Sequence, residues 1–360
     1  MTDQGNVDVL ASLLDTHRLT TVVAGRIDLT PPWRLDSEPT DLLSILIQAA
    51  GESYLASGPG ADPLVMRAGD IVIRPHGTSG TSIHDGTNPA VATWRLSVPT
   101  ADRHPSPAPL RLARGTPASS FVSCLLRMGD APRGPLLDSL PALIHIPARS
   151  GADHAQLRQV ADMMIAESAA PGPASTRLMS RLAEILLILV FRQQARDLSG
   201  RPGLRALADP LIAPAIGRMH ADPGRDWSVA ALAGACGLSR SAFAARFTEA
   251  VGETPISYLI GWRMAAAAKL LATTGTTVGR VAASVGYRSE AAFRRAFTDA
   301  LGCTPREYRK RHRPGIATGG VNGTGVGPTS VTSTSTTDGP RVATAAANAA
   351  SKPSADVTRA

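Results

Sequence analysis

The chain is poor in several residue types that particular classes of protein require. Aromatic residues make up only 4% of its 360 residues, which argues against a protein that binds single strands by stacking bases. Its three cysteines are far apart and odd in number, so we expect reduced thiols rather than a disulfide framework. Lysine occurs only at positions 269, 310 and 352, and nearly all of the positive charge is therefore arginine.

Long apolar runs are also missing. The longest run, Ile185 to Phe191, is well short of the roughly 18 residues that a membrane span needs. The first residues contain no basic stretch followed by an apolar one, the pattern of a secretory signal. We therefore expect a cytoplasmic location and no membrane partner.

The positive charge is concentrated in one part of the chain. Residues 204–313 contain 16 lysines and arginines against 8 aspartates and glutamates, a net charge of +8. The whole chain also has a net charge of +8, so this segment carries the equivalent of all of it. A localised basic segment is typical of a protein that binds a polyanion such as double-stranded DNA. A solubilising basic surface is the alternative, and charge alone does not decide between the two.

Composition and hydrophobic periodicity predict an α+β multidomain chain of four segments. Residues 1–150 contain short apolar strands separated by Gly, Pro and Asp, typical of a β-sandwich or barrel. Residues 151–203 contain an amphipathic helix, a second helix that is apolar nearly all round, and a linker. Residues 204–313 are helical by pattern. Residues 314–360 are rich in Gly, Thr, Ser and Ala, and they have too few large apolar side chains to offset the entropy of ordering. We therefore predict a disordered tail.

The helical segment contains an internal repeat. Six special residues of one copy recur 50 residues later in a second copy, which makes chance agreement negligible. The residues of the first copy are Phe243, Phe247, Gly252, Thr254, Pro255 and Tyr258, and those of the second are Phe293, Phe297, Gly302, Thr304, Pro305 and Tyr308.

Each copy has the signals of a helix-turn-helix. Gly237 and Gly286 follow the first helix of their copy, where a left-handed residue turns the chain. Ser239 and Ser289 then cap the second helix, whose two phenylalanines lie four residues apart and pack inward. The sequence therefore predicts two helix-turn-helix units.

The opposite face of each second helix is predicted to contact base edges, because residues near the start of a recognition helix enter the major groove. Arg294 and Arg295 are suited to guanine, and Glu290 is suited to cytosine. The alternative is an ordinary solvated helix face, which the repeat and the local charge disfavour. The candidate residues are Arg240, Ser241, Ala244, Ala245, Arg246 and Thr248 in the first copy, and Glu290, Ala291, Arg294, Arg295 and Thr298 in the second.

A continuous helical pattern from Ile256 to Thr273 separates the two units. At about 1.5 Å per residue, such a helix is about 27 Å long. A rigid linker helix of this length can hold two recognition helices about one duplex turn, or about 34 Å, apart.

The repeat resembles the DNA-binding domain of the AraC/XylS family of bacterial transcription regulators. The matching stretches begin at Leu232 (LAGACGLSRSAFAARFTEAVGETPISYL) and at Val281 (VAASVGYRSEAAFRRAFTDALGCTPREY). More weakly, the N-terminal 200 residues resemble the cupin-type sensor domain of one branch of that family, through MRAGDIVIRPHG from Met66, GPLLDSLPALIHIP from Gly134 and the paired helices before the linker. One departure stands out. The family usually has an arginine in the recognition helix, two residues after its first buried aromatic residue. In the second unit Arg295 fits this pattern. The first unit has Ala245 at that position, and Arg246 follows one residue later.

The resemblance implies a sequence-specific regulator that works at operators on the nucleoid, with RNA polymerase as a partner. It also implies that residues 1–150 form a cupin-like β-barrel that binds a small effector or sets the oligomeric state. Residues 151–203 would then form the contact of a homodimer. A regulator that binds no effector, and whose barrel only dimerises, remains an alternative.

Two other classes compete with this interpretation. A metal-dependent cupin enzyme needs clustered histidines, but His76 and His84 are eight residues apart and the chain contains no His-x-His, so we predict no metal, no cofactor and no enzymatic activity. Cys124 is more typical of a buried structural thiol than of a redox sensor. A structural chromatin protein is disfavoured because the two predicted recognition faces differ.

Overall fold

The computed structural model describes residues 8–17, 19–56, 62–78, 80–86, 93–96, 110–112, 116–129, 132–149, 154–197, 202–312, 331–335 and 338–343. The strands are β1 (Thr20–Leu29), β2 (Arg34–Ser37), β3 (Leu43–Ala50), β4 (Glu52–Ala56), β5 (Leu64–Arg67), β6 (Ile71–Arg74), β7 (Thr81–His84), β8 (Thr93–Leu96), β9 (Leu110–Leu112), β10 (Ser119–Arg127), β11 (Ile144–Ile146), β12 (Val331–Ser335) and β13 (Asp338–Ala343). The helices are α1 (Val9–His17), α2 (Gly134–Asp138), α3 (Ala155–Ala169), α4 (Ser175–Asp197), α5 (Leu204–Ala208), α6 (Ile212–Ala221), α7 (Val229–Ala235), α8 (Arg240–Val251), α9 (Pro255–Thr273), α10 (Val278–Ser284), α11 (Glu290–Leu301) and α12 (Pro305–His312).

The N-terminal region consists of two sheets that pack against each other. Their strand orders are β11-β6-β3-β10-β1-β9 and β13-β12-β8-β2-β7-β4-β5. Most neighbours are antiparallel, and β1/β9 and β2/β8 are parallel. The prediction of a β-rich N-terminal region is confirmed. Among the described strand pairs, none joins the two sheets into a closed barrel.

The first sheet is buried on both faces, because alternate side chains of a strand point in opposite directions. Ile45 and Ile47 of β3 share a core with helices α3 and α4. Leu46 points the other way and packs with Phe121 of β10 in the core between the two sheets. This arrangement explains why consecutive residues are buried in both strands, from Leu43 to Gln48 in β3 and from Ser119 to Leu126 in β10. Helix α4 is apolar on most sides, and the first sheet is one of the surfaces that cover it.

The C-terminal region is all helical, as predicted, and α1 and α2 of the N-terminal region pack onto it. Val9 and Leu13 of α1 and Leu136 of α2 belong to the same buried cluster as Ile216 and Trp262. Helix α1, which precedes the strands, therefore packs against both regions of the chain. Within the described residues, no helix is long and apolar enough to cross a membrane.

The segment predicted as a disordered tail contains the last two strands. β12 pairs with β8 and with β13, which extends the second sheet. Three of the five residues of β12 (VTSTS) are β-branched, which favours the extended conformation. The other residues after 312, and with them the rest of the predicted tail, lie outside the described part.

Candidate DNA interface

The first helix-turn-helix comprises α7, a tight turn and α8. Gly237 has a φ of 66°, and the N–H of Leu238 donates to the carbonyl of Ala233 at 3.0 Å, which closes α7 with a left-handed turn. The hydroxyl of Ser239 then accepts a hydrogen bond from the N–H of Ala242 at 3.2 Å and caps α8. Turn glycine and cap together orient α8 relative to α7.

The second unit, α10 and α11, repeats this geometry. Gly286 has a φ of 84°, and the N–H of Tyr287 donates to the carbonyl of Ala282 at 2.9 Å. The hydroxyl of Ser289 accepts from the N–H of Ala292 at 3.4 Å. The same turn and cap therefore occur in both copies, as the sequence repeat predicts.

The aromatic cores of the two units are also nearly identical. The ring centroids of Phe243 and Phe247 are 5.6 Å apart with an interplanar angle of 49°, and the second pair, Phe293 and Phe297, has 5.6 Å and 50°. All four phenylalanines are completely buried. Because one face of α8 and of α11 is occupied in this way, the opposite faces point to solvent.

The linker helix α9 fixes the two units relative to each other. Arg263, near its middle, donates from Nε to the carbonyl of Pro223 at 2.8 Å and from Nη2 to the carbonyl of Arg225 at 2.9 Å. A Cβ added at Gly286 would lie 2.8 Å from the carbonyl oxygen of Gly224. The loop before the first unit therefore touches the turn of the second unit, and α9 is not the only connection between them.

Most of the predicted contact residues are exposed on the free faces of α8 and α11. Ala244 and Thr298 are half-buried, and Thr248 and Thr298 donate their hydroxyls to carbonyls of their own helices. The exposed residues are Arg240, Ser241, Ala245, Arg246 and Thr248 on α8, and Glu290, Ala291, Arg294 and Arg295 on α11.

Arg246 points toward the body of the domain. Its Nε lies 2.9 Å from Oδ2 of Asp209, a carboxylate with 8% of its side chain exposed. Burial alone would raise the pKa of Asp209, but the Arg246 guanidinium and the backbone N–H groups of Leu211 and Ile212 hold that pKa below its usual value. Arg246 and Asp209 are 37 residues apart, and nothing in the local pattern of the sequence indicated the pair.

The two arginines of α11 differ in their contacts. Nε of Arg294 donates to Oε1 of Glu290 one turn earlier at 3.0 Å. The described residues provide no salt-bridge partner for Arg295. A second pair that the sequence did not indicate joins the two units at the surface, with Nη2 of Arg288 3.3 Å from Oδ2 of Asp226.

The described residues do not form a metal centre. No group of three or more His, Cys, Asp or Glu in this part of the chain is arranged to hold an ion. His76 is within hydrogen-bond distance of the carbonyl of Leu140, at 2.9 Å, and His84 stacks on Tyr54. Cys124 is fully buried, and burial raises the pKa of its thiol to about 12.

Comparisons with known proteins match both regions of the chain. A family profile described as Cupin matches residues 8–196, and a profile described as Helix-turn-helix domain matches residues 232–311. An AraC-like transcription regulator of Streptomyces antibioticus is 42% identical over 50% of this chain and 59% of that protein. The chain thus spans less than two thirds of this relative.

Two further relatives align over more of their length. The RCS-specific HTH-type transcriptional activator RclR of Escherichia coli K12 is 31% identical over 56% of this chain and 72% of that protein. The HTH-type transcriptional regulator AlkR of Acinetobacter baylyi is 29% identical over 85% of this chain and 100% of that protein. These relatives are transcription regulators and not enzymes. Fold and matches together define the class, a cupin domain followed by a helix-turn-helix domain. The chain belongs to the AraC family of transcriptional regulators.

Proposed function

We propose that the protein is a sequence-specific transcriptional regulator that inserts α8 and α11 into successive major grooves of one duplex. This proposal rests on two helix-turn-helix units of the same geometry, in each of which the free face of the second helix points to solvent. They are joined by α9, whose 19 residues span about 28 Å. Successive major grooves on one side of a duplex are about 34 Å apart. The contact of Arg263 with the loop before α7 supports a fixed spacing.

The second unit is proposed to determine most of the specificity. Arg295 is exposed and free to reach a guanine edge, whereas Arg246, its displaced counterpart, is bonded to Asp209. Glu290 and Arg294 would act as a pair, since the carboxylate orients the guanidinium. Arg240 is proposed to lie near a phosphate. The remaining candidates have smaller side chains, and they are Ser241, Ala244, Ala245 and Thr248 on α8 and Ala291 and Thr298 on α11.

The N-terminal region is proposed to bind a small effector and to form a homodimer. Large apolar side chains that stay exposed on α3 and α4 support the dimer, since a subunit contact would remove them from water. They are Met163, Leu178 and Ile185, which are 54%, 43% and 45% exposed. Ile185→Glu is expected to convert a dimer into a monomer in analytical ultracentrifugation. RNA polymerase is proposed as the partner of the DNA-bound protein.

Binding to DNA can be tested without knowledge of the natural operator. A consensus is selected from a random duplex library with the full chain, and its Kd is compared with that of scrambled duplex over a range of salt concentrations. We expect a discrimination of about 10³-fold or more, and a steep loss of affinity as salt rises. Discrimination below about tenfold would favour a structural chromatin protein instead.

A further inference from the structure

The loops before the two helix-turn-helix units differ in charge. The first unit has the sequence RDW at residues 225–227, directly before the cap of α7, whereas the second has TGT at residues 274–276, directly before the cap of α10. The second loop packs within its own unit, since Arg309 of α12 donates to the carbonyl of Thr276. A unit of this kind therefore forms without charges in its loop, and the charges of the first loop require another explanation.

The turns of the two units differ as well, by one residue. In the first unit a single residue, Leu238, lies between the turn glycine and the serine cap. In the second unit two residues lie there, Tyr287 and Arg288, and Tyr287 makes the backbone hydrogen bond that corresponds to that of Leu238. The additional residue is therefore Arg288, which lies directly before Ser289, the cap of α11.

These two departures from the repeat meet at the junction between the units. The loop before α7 lies against the turn of the second unit, where a Cβ added at Gly286 would be 2.8 Å from the carbonyl oxygen of Gly224. Nη2 of Arg288 lies 3.3 Å from Oδ2 of Asp226, and both side chains are 92% exposed. The charged residues that one copy has and the other lacks thus lie where the two copies face each other.

Arg225 of this loop is held in place by its neighbours. Its guanidinium lies over the ring of Trp227, with Cζ 4.3 Å from the ring centroid, and its carbonyl accepts a hydrogen bond from Nη2 of Arg263. Stacking on an aromatic ring does not use the N–H donors, which lie in the plane of the guanidinium. In the described part of the chain, no carboxylate forms a salt bridge with Arg225. An ordered guanidinium of this kind is suited to a phosphate.

The junction also lies beside the recognition surface. Arg288 comes just before the start of α11, and the start of a recognition helix enters the major groove. A residue just before that start lies at the edge of the groove, where the phosphates are. With α8 and α11 in successive major grooves, a stretch of minor groove lies between them. The junction is between the two units and faces this stretch.

We propose that Arg225 and Arg288 bind phosphates of the duplex segment between the two half-sites. This inference rests on the proposed function, because it requires α8 and α11 in successive grooves of one duplex. Exposed ion pairs are weak, so a phosphate can replace the carboxylate of Asp226 as the partner of Arg288. That carboxylate then lies near the DNA backbone and repels it. Contacts of this type fix the position of the protein on the duplex rather than read bases.

The number of phosphates bound can be measured with the full chain. Kd for the selected and the scrambled duplex is determined from about 50 to about 200 mM salt, and each neutralised phosphate adds about 0.9 to the slope of log K against log salt. Arg225→Ala and Arg288→Ala are each expected to reduce the slope by about this amount and to weaken both duplexes by similar factors. Arg225→Lys should keep the slope, and Asp226→Asn should tighten the binding of both duplexes.

Arg67→Ala on β5 is the matched control. Nε of Arg67 lies 3.4 Å from Oε2 of Glu52, and the variant therefore removes one positive charge and one surface ion pair outside the DNA-binding region. It should keep the wild-type slope. If loss of the stack on Trp227 destabilises Arg225→Ala, the exposed positions of Arg288→Ala and Asp226→Asn still test the contact.

Neutral methylphosphonates in the selected duplex locate the phosphates. Placed between the half-sites, they are expected to weaken binding of the wild type by about threefold or more at each contact. They should not change the affinity of the double variant that combines Arg225→Ala with Arg288→Ala. Placed outside the half-sites, they should affect both proteins equally. Equal losses for the two proteins when the substitution lies between the half-sites would overturn the proposal.

The selection from random duplexes distinguishes a failure of this contact from a failure of the proposed function. If no consensus emerges and all duplexes bind equally, the proposed function fails and this contact fails with it. If a consensus of two half-sites is bound specifically but Arg225→Ala and Arg288→Ala keep the wild-type salt slope, only the contact at the junction is wrong.

Discussion

Three arginines on the recognition helices look equivalent in the sequence but have different surroundings. Arg295 extends from α11, Arg294 is bonded to Glu290 on the same helix, and Arg246 on α8 is bonded to Asp209. A guanidinium that binds a carboxylate has fewer N–H donors left for a base edge, and the carboxylate fixes the direction in which the remaining donors point. Position on a helix face therefore does not by itself identify a residue that reads bases.

Alanine substitutions at two of these positions should separate DNA recognition from stability. Arg295→Ala is expected to weaken binding to the selected duplex by about 1–3 kcal/mol, or roughly 5- to 150-fold in Kd, with little change in Tm. Arg246→Ala is expected to lower the Tm, because Asp209 loses its guanidinium, and to change the Kd less. Fluorescence anisotropy and thermal unfolding measure the two effects. Equal losses of affinity in the two variants would contradict the assignment.

For single residues, the sequence predicts which candidate side chains are exposed, but it does not predict which residues they form ion pairs with. The phenylalanine pairs determine which face of each helix is free, because their spacing leaves only one arrangement. The Arg246–Asp209 and Arg288–Asp226 pairs join residues that are 37 and 62 positions apart. Such contacts depend on how the helices pack, which no local pattern contains.

Among the secondary-structure elements, the two turns differ in an informative way despite their matching sequences. A Cβ added at Gly237 would have nothing within 4 Å, whereas one added at Gly286 would lie 2.8 Å from the carbonyl of Gly224 and 2.8 Å from Nη2 of Arg263. The first glycine is required only for its backbone conformation. The second is also required for the close approach between the two units.

Gly286→Ala should therefore be more damaging than Gly237→Ala. Both substitutions place a Cβ on a left-handed residue, at a cost of about 1–2 kcal/mol. Gly286→Ala must in addition displace the loop that contains Gly224, so we expect about twice the loss of Tm. We also expect a larger loss of affinity for a duplex with two half-sites than for one with a single half-site. Equal effects in the two variants would show that the contact between the units does not fix their spacing.

The sequence also predicts most elements of the fold. Turn glycines, serine caps and the 50-residue repeat specify the helices of the C-terminal region, and the linker helix begins one residue before its predicted start. The order of the strands in the two sheets is not predictable in this way, because pairs such as β1 with β10 join distant segments. The strands β12 and β13 lie in a segment whose composition is that of a flexible tail, and composition of this kind does not indicate strands.

In the whole molecule, the contact between the two regions contains two buried histidines. His220 of α6 is bonded through Nδ1 to the hydroxyl of Ser12 on α1 and through Nε2 to the hydroxyl of Tyr258 on α9, at 2.7 Å. Its ring stacks on Trp262 with centroids 3.5 Å apart. Burial lowers the pKa of His220 to about 3, helped by the nearby His17.

Burial, together with the charge of Arg133, likewise lowers the pKa of His17 to about 4. In the unfolded chain both histidines take up a proton near pH 6.5, whereas in the folded chain they stay neutral until pH 4 or below. The unfolded state therefore binds more protons between these values, and stability must fall as the pH falls through this window. The other ionisable groups around this contact are Glu253 and Tyr258.

The free energy of unfolding should therefore decrease between pH 6.5 and 4 by up to about 3 kcal/mol for each histidine. Urea unfolding of the full chain across this range measures the slope. His220→Gln should give a shallower slope than the wild type, because glutamine does not titrate. His84→Gln, on β7 and away from the contact, is the control and should keep the wild-type slope. Parallel slopes for all three proteins would contradict a role for the buried histidine.

The position of α1 has a consequence for how this protein can be divided or recombined. Although α1 comes before every strand, Val9 and Leu13 complete the apolar interior around Trp262 and Ile216. A chimaera that joins another sensor to this chain at residue 204 would remove that helix and leave the interior open to water. To be exchangeable between regulators, the helical region must be transferred together with α1, although all the strands of the cupin domain separate the two in the sequence.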